Sequence, residues 1–324
     1  MLYYATKKNE MSKQITSHIM MVRPINFRYN AETAVNNYYQ KVLDNLSPEE
    51  ANKKATEEFD DFVNKLRAVG VNVYVFQDDA NPDTPDSIFP NNWVSFHADG
   101  RVAMYPMYAE NRRLERREEM FEILADDFGF QVDELEDFSN FESEGLFLEG
   151  TGSMILDRVN KLAYAAISER TDIDVLESFC ANFGYEPVAF KAYQTHNDQR
   201  LPIYHTNVMM CLGSSFSVIC LNCIDDVAER KAVKDKLKET GKKLIEISEA
   251  QKEHFAGNML NVCNDKGQEY CVMSSAAYSS LRADQIEAIE KHAVILHSSL
   301  DTIEALGGGS ARCMMAEIFL PKED

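Results

Sequence analysis

The chain has 324 residues, 45% of them hydrophobic and 27% charged, a composition that fits a packed globular protein and is too apolar for disorder. With 53 Asp and Glu against 33 Lys and Arg, the formal net charge is −20, which repels phosphate backbones and anionic lipids and argues against nucleic-acid and membrane partners. No stretch approaches the roughly 18 apolar residues of a membrane span, the first residues lack the pattern of a secretory leader, and seven irregularly spaced cysteines suggest reduced thiols in a cytoplasmic protein.

The first 17 residues are expected to be an extension, and residues 18–324 a single catalytic domain without a linker. The clearest helix opens at Ser47-Pro48-Glu49-Glu50, where a Ser cap, Pro at the first helical position and Glu three residues on form a capping box. Ala51, Ala55, Phe59, Phe62, Val63 and Leu66 follow at helical spacing, Gly70 ends the helix, and Val71 to Phe76 alternates as a strand. The same punctuation returns. A helix through Leu114, Phe121 and Phe128 stops at Gly129 before a strand at Phe130-Gln131-Val132. One through Ile173 and Phe183 stops at Gly184 before Tyr185 to Phe190, and one through Val227 and Leu237 stops at Gly241 before Lys242 to Ile247. A fifth, with Ile286 and Ile289, runs straight into Ala293 to Leu296. Gly70, Gly129, Gly184 and Gly241 are separated by 59, 55 and 57 residues, a period that fits stacked or radially arranged units. Helix alternating with strand makes the class α/β. An ordinary α/β domain with evenly spaced helices would show the same glycines.

A second set of residues shares the period. Asn92, Glu149, His205, Asn258 and Cys313 are separated by 57, 56, 53 and 55 residues, each beside an apolar strand-like stretch. If the units form a ring, one such side chain per unit converges on its axis. A thiol needs a base or a positive neighbour to become a nucleophile, and a carboxylate can orient an imidazole. Gly307-Gly308-Gly309 ahead of Cys313 marks backbone that passes close to something, because glycine otherwise costs chain entropy and packs nothing.

Asn92, Glu149-Gly150, His205-x-Asn207 and Gly-Gly-Gly-x-x-Arg312-Cys313, in that order, resemble the guanidine-modifying (amidinotransferase) superfamily. The stretches FPNNWVSFH, FLEGTG and YHTNVMMCLG look most similar to bacterial citrulline-utilisation hydrolases. The resemblance implies a five-bladed α/β propeller of pseudo-repeated ββαβ units, with no cofactor and no metal. It further implies Cys313 as nucleophile, His205 as general acid and base, and Glu149 as its partner. Asp86 is implied at the substrate's amino end and Arg170 at its carboxylate. Either Arg112 or Arg113 would be a second such element. Asn258 is expected among the substrate-binding residues.

The departures from the family pattern bear on the substrate. Members acting on guanidinium groups usually carry Asp where this chain has Asn92 and Asn207. A buried cation needs an anion, whereas a carboxamide offers both a donor and an acceptor, which suits a neutral ureido group. Citrulline is therefore the expected substrate, with a guanidinium hydrolase or amidinotransferase and a non-enzymatic binding module as rivals, and a homo-oligomer left open. A neutral substrate brings no charge to favour the thiolate, so an imidazolium at His205 is expected to supply it. Cys220-Leu221-Asn222-Cys223 reads as a strand with two core cysteines, and Arg112 to Arg117, interspersed with glutamates, as a salt-laced helix face.

Overall fold

The computed structural model describes residues 13–43 and 46–322; the part of the expected extension at residues 1–12 lies outside the described residues. The Gln14 amide donates to Leu156 O and accepts from the Arg158 N–H, and the Thr16 hydroxyl donates to Ile318 O, so the stretch ahead of the first strand is tied to the body.

The chain opens with β1 (His18–Arg23), α1 (Pro48–Ala68) and β2 (Asn72–Gln77). A hairpin of β3 (Val94–Phe96) and β4 (Arg101–Met104) is followed by α2 (Glu110–Arg113), α3 (Glu119–Asp126) and β5 (Glu134–Asp137). The pattern returns as α4 (Gly150–Ser153), β6 (Met154–Asp157), β7 (Leu162–Ala166), α5 (Ile173–Phe183) and β8 (Glu186–Phe190). After a side hairpin of β9 (Tyr193–His196) and β10 (Gln199–Pro202) come β11 (Met210–Leu212), β12 (Phe216–Ile219), α6 (Val227–Glu239) and β13 (Lys243–Glu246). Then follow α7 (Glu249–Lys252), β14 (Leu260–Cys263), β15 (Glu269–Ser274), α8 (Ser275–Ser280), α9 (Ala283–Glu290) and β16 (Val294–Ser298). The last elements are α10 (Asp301–Gly307) and β17 (Ala316–Glu317).

Among the described residues these strands make five three-stranded sheets, β3-β4-β5, β6-β7-β8, β11-β12-β13, β14-β15-β16 and β17-β1-β2. In each, the first pair is antiparallel and the second parallel. In the four sheets contiguous in the chain a hairpin makes the first pairing, and in all five a crossover through a helix makes the second. The fold is thus α/β. The first strand of each sheet is almost wholly buried, while the third strands β5, β8, β13 and β16 are largely open to solvent. First strands touch across sheets, β3 with β17, β6 with β11 and β11 with β14. No helix among the described residues is long and apolar enough to cross a membrane.

Local chemistry explains the boundaries. Ser47 accepts from the Glu50 N–H and Glu50 accepts from the Ser47 N–H, closing the capping box of α1. The helix buries Ala55, Phe59, Phe62 and Leu66 against β1 and β2. Gly184 ends α5 at φ 68°, which glycine adopts at little cost. Two expected strands are displaced. Phe130 to Val132 makes no ladder, because the Gln131 N–H is taken by Pro321 O and Phe130 packs against His18 and Tyr74; the strand starts at Glu134. Cys220 to Cys223 is a turn after β12, with Cys223 N–H bonded to Cys220 O, and both thiols are buried in the core.

Candidate active site

The segments that carry the periodic polar residues lie just ahead of the buried first strands. Asn92 precedes β3, Glu149 precedes β6, His205 and Asn207 precede β11, Asn258 precedes β14 and Cys313 precedes β17. This placement brings all of them to one end of the inner strands.

Cys313 is held by a turn in which its N–H bonds to Ser310 O, and it is 3% exposed. Its Sγ accepts from Asn207 Nδ2 at 3.3 Å and from Asn258 Nδ2 at 3.2 Å. The Asn258 amide cannot turn over, since its Oδ1 accepts the Arg312 N–H at 3.0 Å. Both ends of the Asn258 side chain are thus engaged within the protein. Gly257 is required at its position: a Cβ there would lie 2.4 Å from Val208 O, so any side chain would push the Asn258 segment away from the His205–Asn207 turn.

His205 Nε2 lies 2.7 Å from Glu149 Oε2. A carboxylate only accepts, so Nε2 carries the proton and Nδ1 is left as an acceptor. Gly152 makes room for this arrangement, since a Cβ there would sit 2.3 Å from Asn92 Nδ2 and 3.0 Å from His205 Nδ1. Burial raises the Glu149 carboxyl, but the Arg170 guanidinium, the His205 hydrogen bond and Arg112 outweigh it and hold the group well below the usual carboxylate range. Glu149 also accepts the Tyr108 N–H at 3.0 Å. Burial pushes His205 down to about 4 against the pull of Glu149. The resting imidazole is thus neutral. This departs from the imidazolium expected from the sequence, and the sulfur is met instead by two carboxamide donors.

An imidazole that is to take a thiol proton must start neutral. Protonating it removes that base, so the acid limb of kcat/KM is expected near pH 4, not near the 6.5 of a free imidazole. A pH–rate profile with its acid limb at 6.5 would contradict this reading of His205.

The three arginines are placed differently from one another. Arg170 is 1% exposed and committed: Nη1 lies 3.4 Å from Glu149 Oε2, Nη2 donates to Thr33 O at 2.8 Å, and Nε donates to Asn36 Oδ1 at 2.9 Å. It lines the cleft but is held by partners that leave it little to offer a carboxylate. Arg113 points away, donating to Met107 O at 3.0 Å, with Glu142 at 3.5 Å. Arg112 is the inward one of the pair. It is gripped by Glu115, and its Nη1 donates to Asn92 Oδ1 at 2.8 Å. The salt-laced face is therefore partly a buried pair, Arg112 in α2 and Glu115 in the turn that follows it.

Asp86 is buried. Its Oδ2 accepts from Asn30 Nδ2 at 2.7 Å and from the Thr33 hydroxyl at 3.1 Å, and Oδ1 has no partner. Burial raises its carboxyl, opposed by Arg112, Asn30 and Thr33. Asn92 Nδ2 and Asn207 Oδ1 are likewise buried without a partner. A donor and two acceptors thus stand unmet around the sulfur and its cleft. Such atoms cost free energy unless a ligand satisfies them.

Sequence reasoning missed the cover of the cleft. Residues 30–41 run across it without regular structure. Asn37 donates to Gly307 O and Gly308 O, Gln40 donates to Gly307 O, and the Lys41 N–H bonds to Ala305 O. The three glycines admit this cover and Phe89: a Cβ at Gly308 would lie 2.6 Å from Asn37 Nδ2, and one at Gly307 2.7 Å from the Phe89 ring. The polar run Asn36-Asn37 is the one available signal, and it has no fixed spacing to recognise. A wider surface groove at Arg67, Val71, Tyr74, Phe128 and Asp265 holds no nucleophile and no unpartnered buried polar atom among the described residues. No cluster among them has the composition of a metal site.

The sequence model of the family described as N,N dimethylarginine dimethylhydrolase, eukaryotic, matches residues 23–320. The chain belongs to this family. Through it, the chain joins the guanidine-modifying superfamily that its motifs resemble. Among solved structures, apo ArgZ, an arginine dihydrolase of cyanobacteria, is similar with a TM-score of 0.71 and 17% identity over 94% of this chain. The chain spans 41% of that protein's length. The N-terminal domain of ArgZ, as a cysteine-to-serine mutant bound to substrate, is similar with a TM-score of 0.69 and 18% identity, covering 94% of this chain and 99% of that one. Dimethylarginine dimethylaminohydrolase, as the adduct of a histidine-to-glycine mutant with S-methyl-L-thiocitrulline, is similar with a TM-score of 0.61 and 14% identity over 94% of this chain and 100% of that one. These likenesses establish the family's fold for this chain. A comparison with curated proteins finds no match.

Proposed function

We propose that the protein is a cysteine-dependent hydrolase that breaks the ureido C–N bonds of citrulline to give ornithine, ammonia and carbon dioxide. The observation that carries the reading is the orientation of two carboxamides. Asn92 turns its oxygen to Arg112 and keeps Nδ2 unpartnered, while Asn207 turns Nδ2 to Cys313 and keeps Oδ1 unpartnered. One free donor and one free acceptor match the carbonyl and NH2 of a ureido group. Asp86 Oδ1 is the unmet acceptor available to an α-ammonium group.

The chemistry follows from the same atoms. Sγ attacks the ureido carbon as the thiol proton passes to His205 Nδ1. The imidazolium, steadied by Glu149, gives that proton to the departing nitrogen, leaving a thiocarbamate on Cys313. Water, deprotonated by His205, then clears the adduct, and the resulting carbamic acid loses carbon dioxide. No cofactor takes part in these steps. The proposed setting is one catalytic domain of residues 18–324, its five sheets forming a five-bladed ring with the site at the axis. All seven cysteines are unpaired, which suits a reducing cytoplasm.

Family membership favours a second reading, hydrolysis of a guanidino amino acid. A guanidinium carries donors only, however, and would meet the Asn92 donor head-on. Ammonia release from citrulline, arginine, agmatine and dimethylarginine separates the two. Fastest turnover of citrulline is expected, and faster turnover of a guanidino compound would establish the second reading. Stabilisation by citrulline with no turnover of any of the four would identify a binding module.

A further inference from the structure

In Arg112-Arg113-Leu114-Glu115, the Arg112 and Glu115 side chains are 3% and 1% exposed. The Glu115 carboxylate takes Arg112 in a two-pronged grip, Oε1 accepting from Nε and Oε2 from Nη2, each at 2.8 Å. Phe89 O accepts from Nη2 at 3.2 Å. The guanidinium is thereby fixed, and Nη1 is the arm that reaches Asn92 Oδ1. A guanidinium has no acceptor, so it can hold only the oxygen end of that amide. Nδ2 is then forced to the other side, into the space that Gly152 leaves beside His205. An unanchored carboxamide presents either end to a ligand; this one presents its donor. Glu115 itself does not line the cleft.

We propose that Glu115 is a positioning residue for substrate choice: by pinning Arg112, it commits Asn92 to offer a donor to the reacting group and so favours ureido over guanidino compounds. The inference rests on the citrulline reading above for its direction. The pairing also explains why a carboxylate is kept in so dry a place. Burial pushes Glu115 up to about 7 even with Arg112 beside it, so keeping an acid there carries a desolvation cost.

The test uses the Cys313→Ala protein, which lacks the proposed nucleophile, and calorimetric affinities for citrulline and for arginine. Glu115→Gln should lower the citrulline-to-arginine affinity ratio by about tenfold or more, the size expected for one misdirected hydrogen bond. Because that variant leaves a buried guanidinium short of an anion, a second replaces the pair together, Arg112→Leu with Glu115→Leu, which apolar packing tolerates better than a half-broken pair. It should lower the ratio equally. If Glu115 acts through Asn92, neither change lowers the ratio further in an Asn92→Ser background. An unchanged ratio in a folded variant, or an equal fall with and without Asn92, overturns the proposal. Preference for arginine in the parent protein would instead overturn the citrulline reading, and the positioning role is then still decided by whether the ratio moves only when Asn92 is present. A ligand-free readout decides it even if neither compound binds. The Asn92 side-chain amide protons, assigned as the NMR pair lost in Asn92→Ser, should exchange faster with water in Glu115→Gln, and unchanged exchange overturns the proposal.

Discussion

Replacing Cys313 with alanine or serine is expected to abolish hydrolysis, by roughly 10⁴-fold or more, because no other group at the site can form the covalent adduct. The fold should survive. Cys313 sits in a turn fixed by backbone hydrogen bonds, and Asn258 remains anchored on the Arg312 N–H whatever occupies the sulfur position. The melting temperature should stay level or rise, since sites arranged for chemistry tend to cost stability. Ammonia release and a thermal melt made on the same preparation check both halves. Wild-type rates in Cys313→Ala would remove the covalent mechanism altogether. Cys180, Cys211 and Cys263 provide the control. Burial pushes the first two up to about 12 and raises the third as well, so they are inert thiols. Changed singly, each should leave the rate within about tenfold of wild type.

The second large effect is expected on substrate choice. Asn92→Asp keeps an oxygen on Arg112 but turns an acceptor where Nδ2 was a donor. Asn207→Asp removes the N–H that reaches Sγ and places charge beside the nucleophile. Citrulline should lose about 1–3 kcal/mol of transition-state stabilisation in either variant, or about tenfold to a hundredfold in kcat/KM. Arginine should lose less, or gain, because hydrogen bonds between charged partners are worth about 1.5–3 kcal/mol. The citrulline-to-arginine ratio of kcat/KM should therefore fall in each single variant and furthest in the double one. Two neighbouring carboxylates can share a proton, so the double variant is best followed across pH. A ratio that stays fixed in all three would place specificity elsewhere in the cleft.

The parts of the molecule that were legible in the sequence share one property: they depend on neighbours close along the chain or on a repeated spacing. The α1 capping box is local, and the helices ending at Gly70 and Gly184 are punctuated by glycines of positive φ. The common phase of Asn92, Glu149, His205, Asn258 and Cys313 points to a shared location because each precedes the first strand of a sheet. What could not be read depends on partners distant in sequence. Arg170 looks like a free cation until Glu149, Asn36 and Thr33 are seen around it. Glu115 looks like one more surface glutamate because nothing in the local sequence marks the turn after α2 as buried. The protonation of His205 depends on how dry the cleft is, and the motif His205-x-Asn207 is the same in a wet site or a dry one.

The fifth sheet carries a consequence for the order in which this protein becomes active. β1 pairs in parallel with β2 but antiparallel with β17, Ile19 opposite Glu317 and Met20 opposite Ala316. β1 is therefore paired on one side by a strand far downstream in the sequence. Cys313 lies just ahead of that closing strand, beside the contact of greatest sequence separation in the sheet. Contacts of this kind form late, since they must repay the entropy of closing a very long loop. On the ribosome, four sheets can assemble while the thiol is still unplaced. Pairing of β17 with β1 is thus expected to be among the last steps that set Cys313 beside the cleft walls.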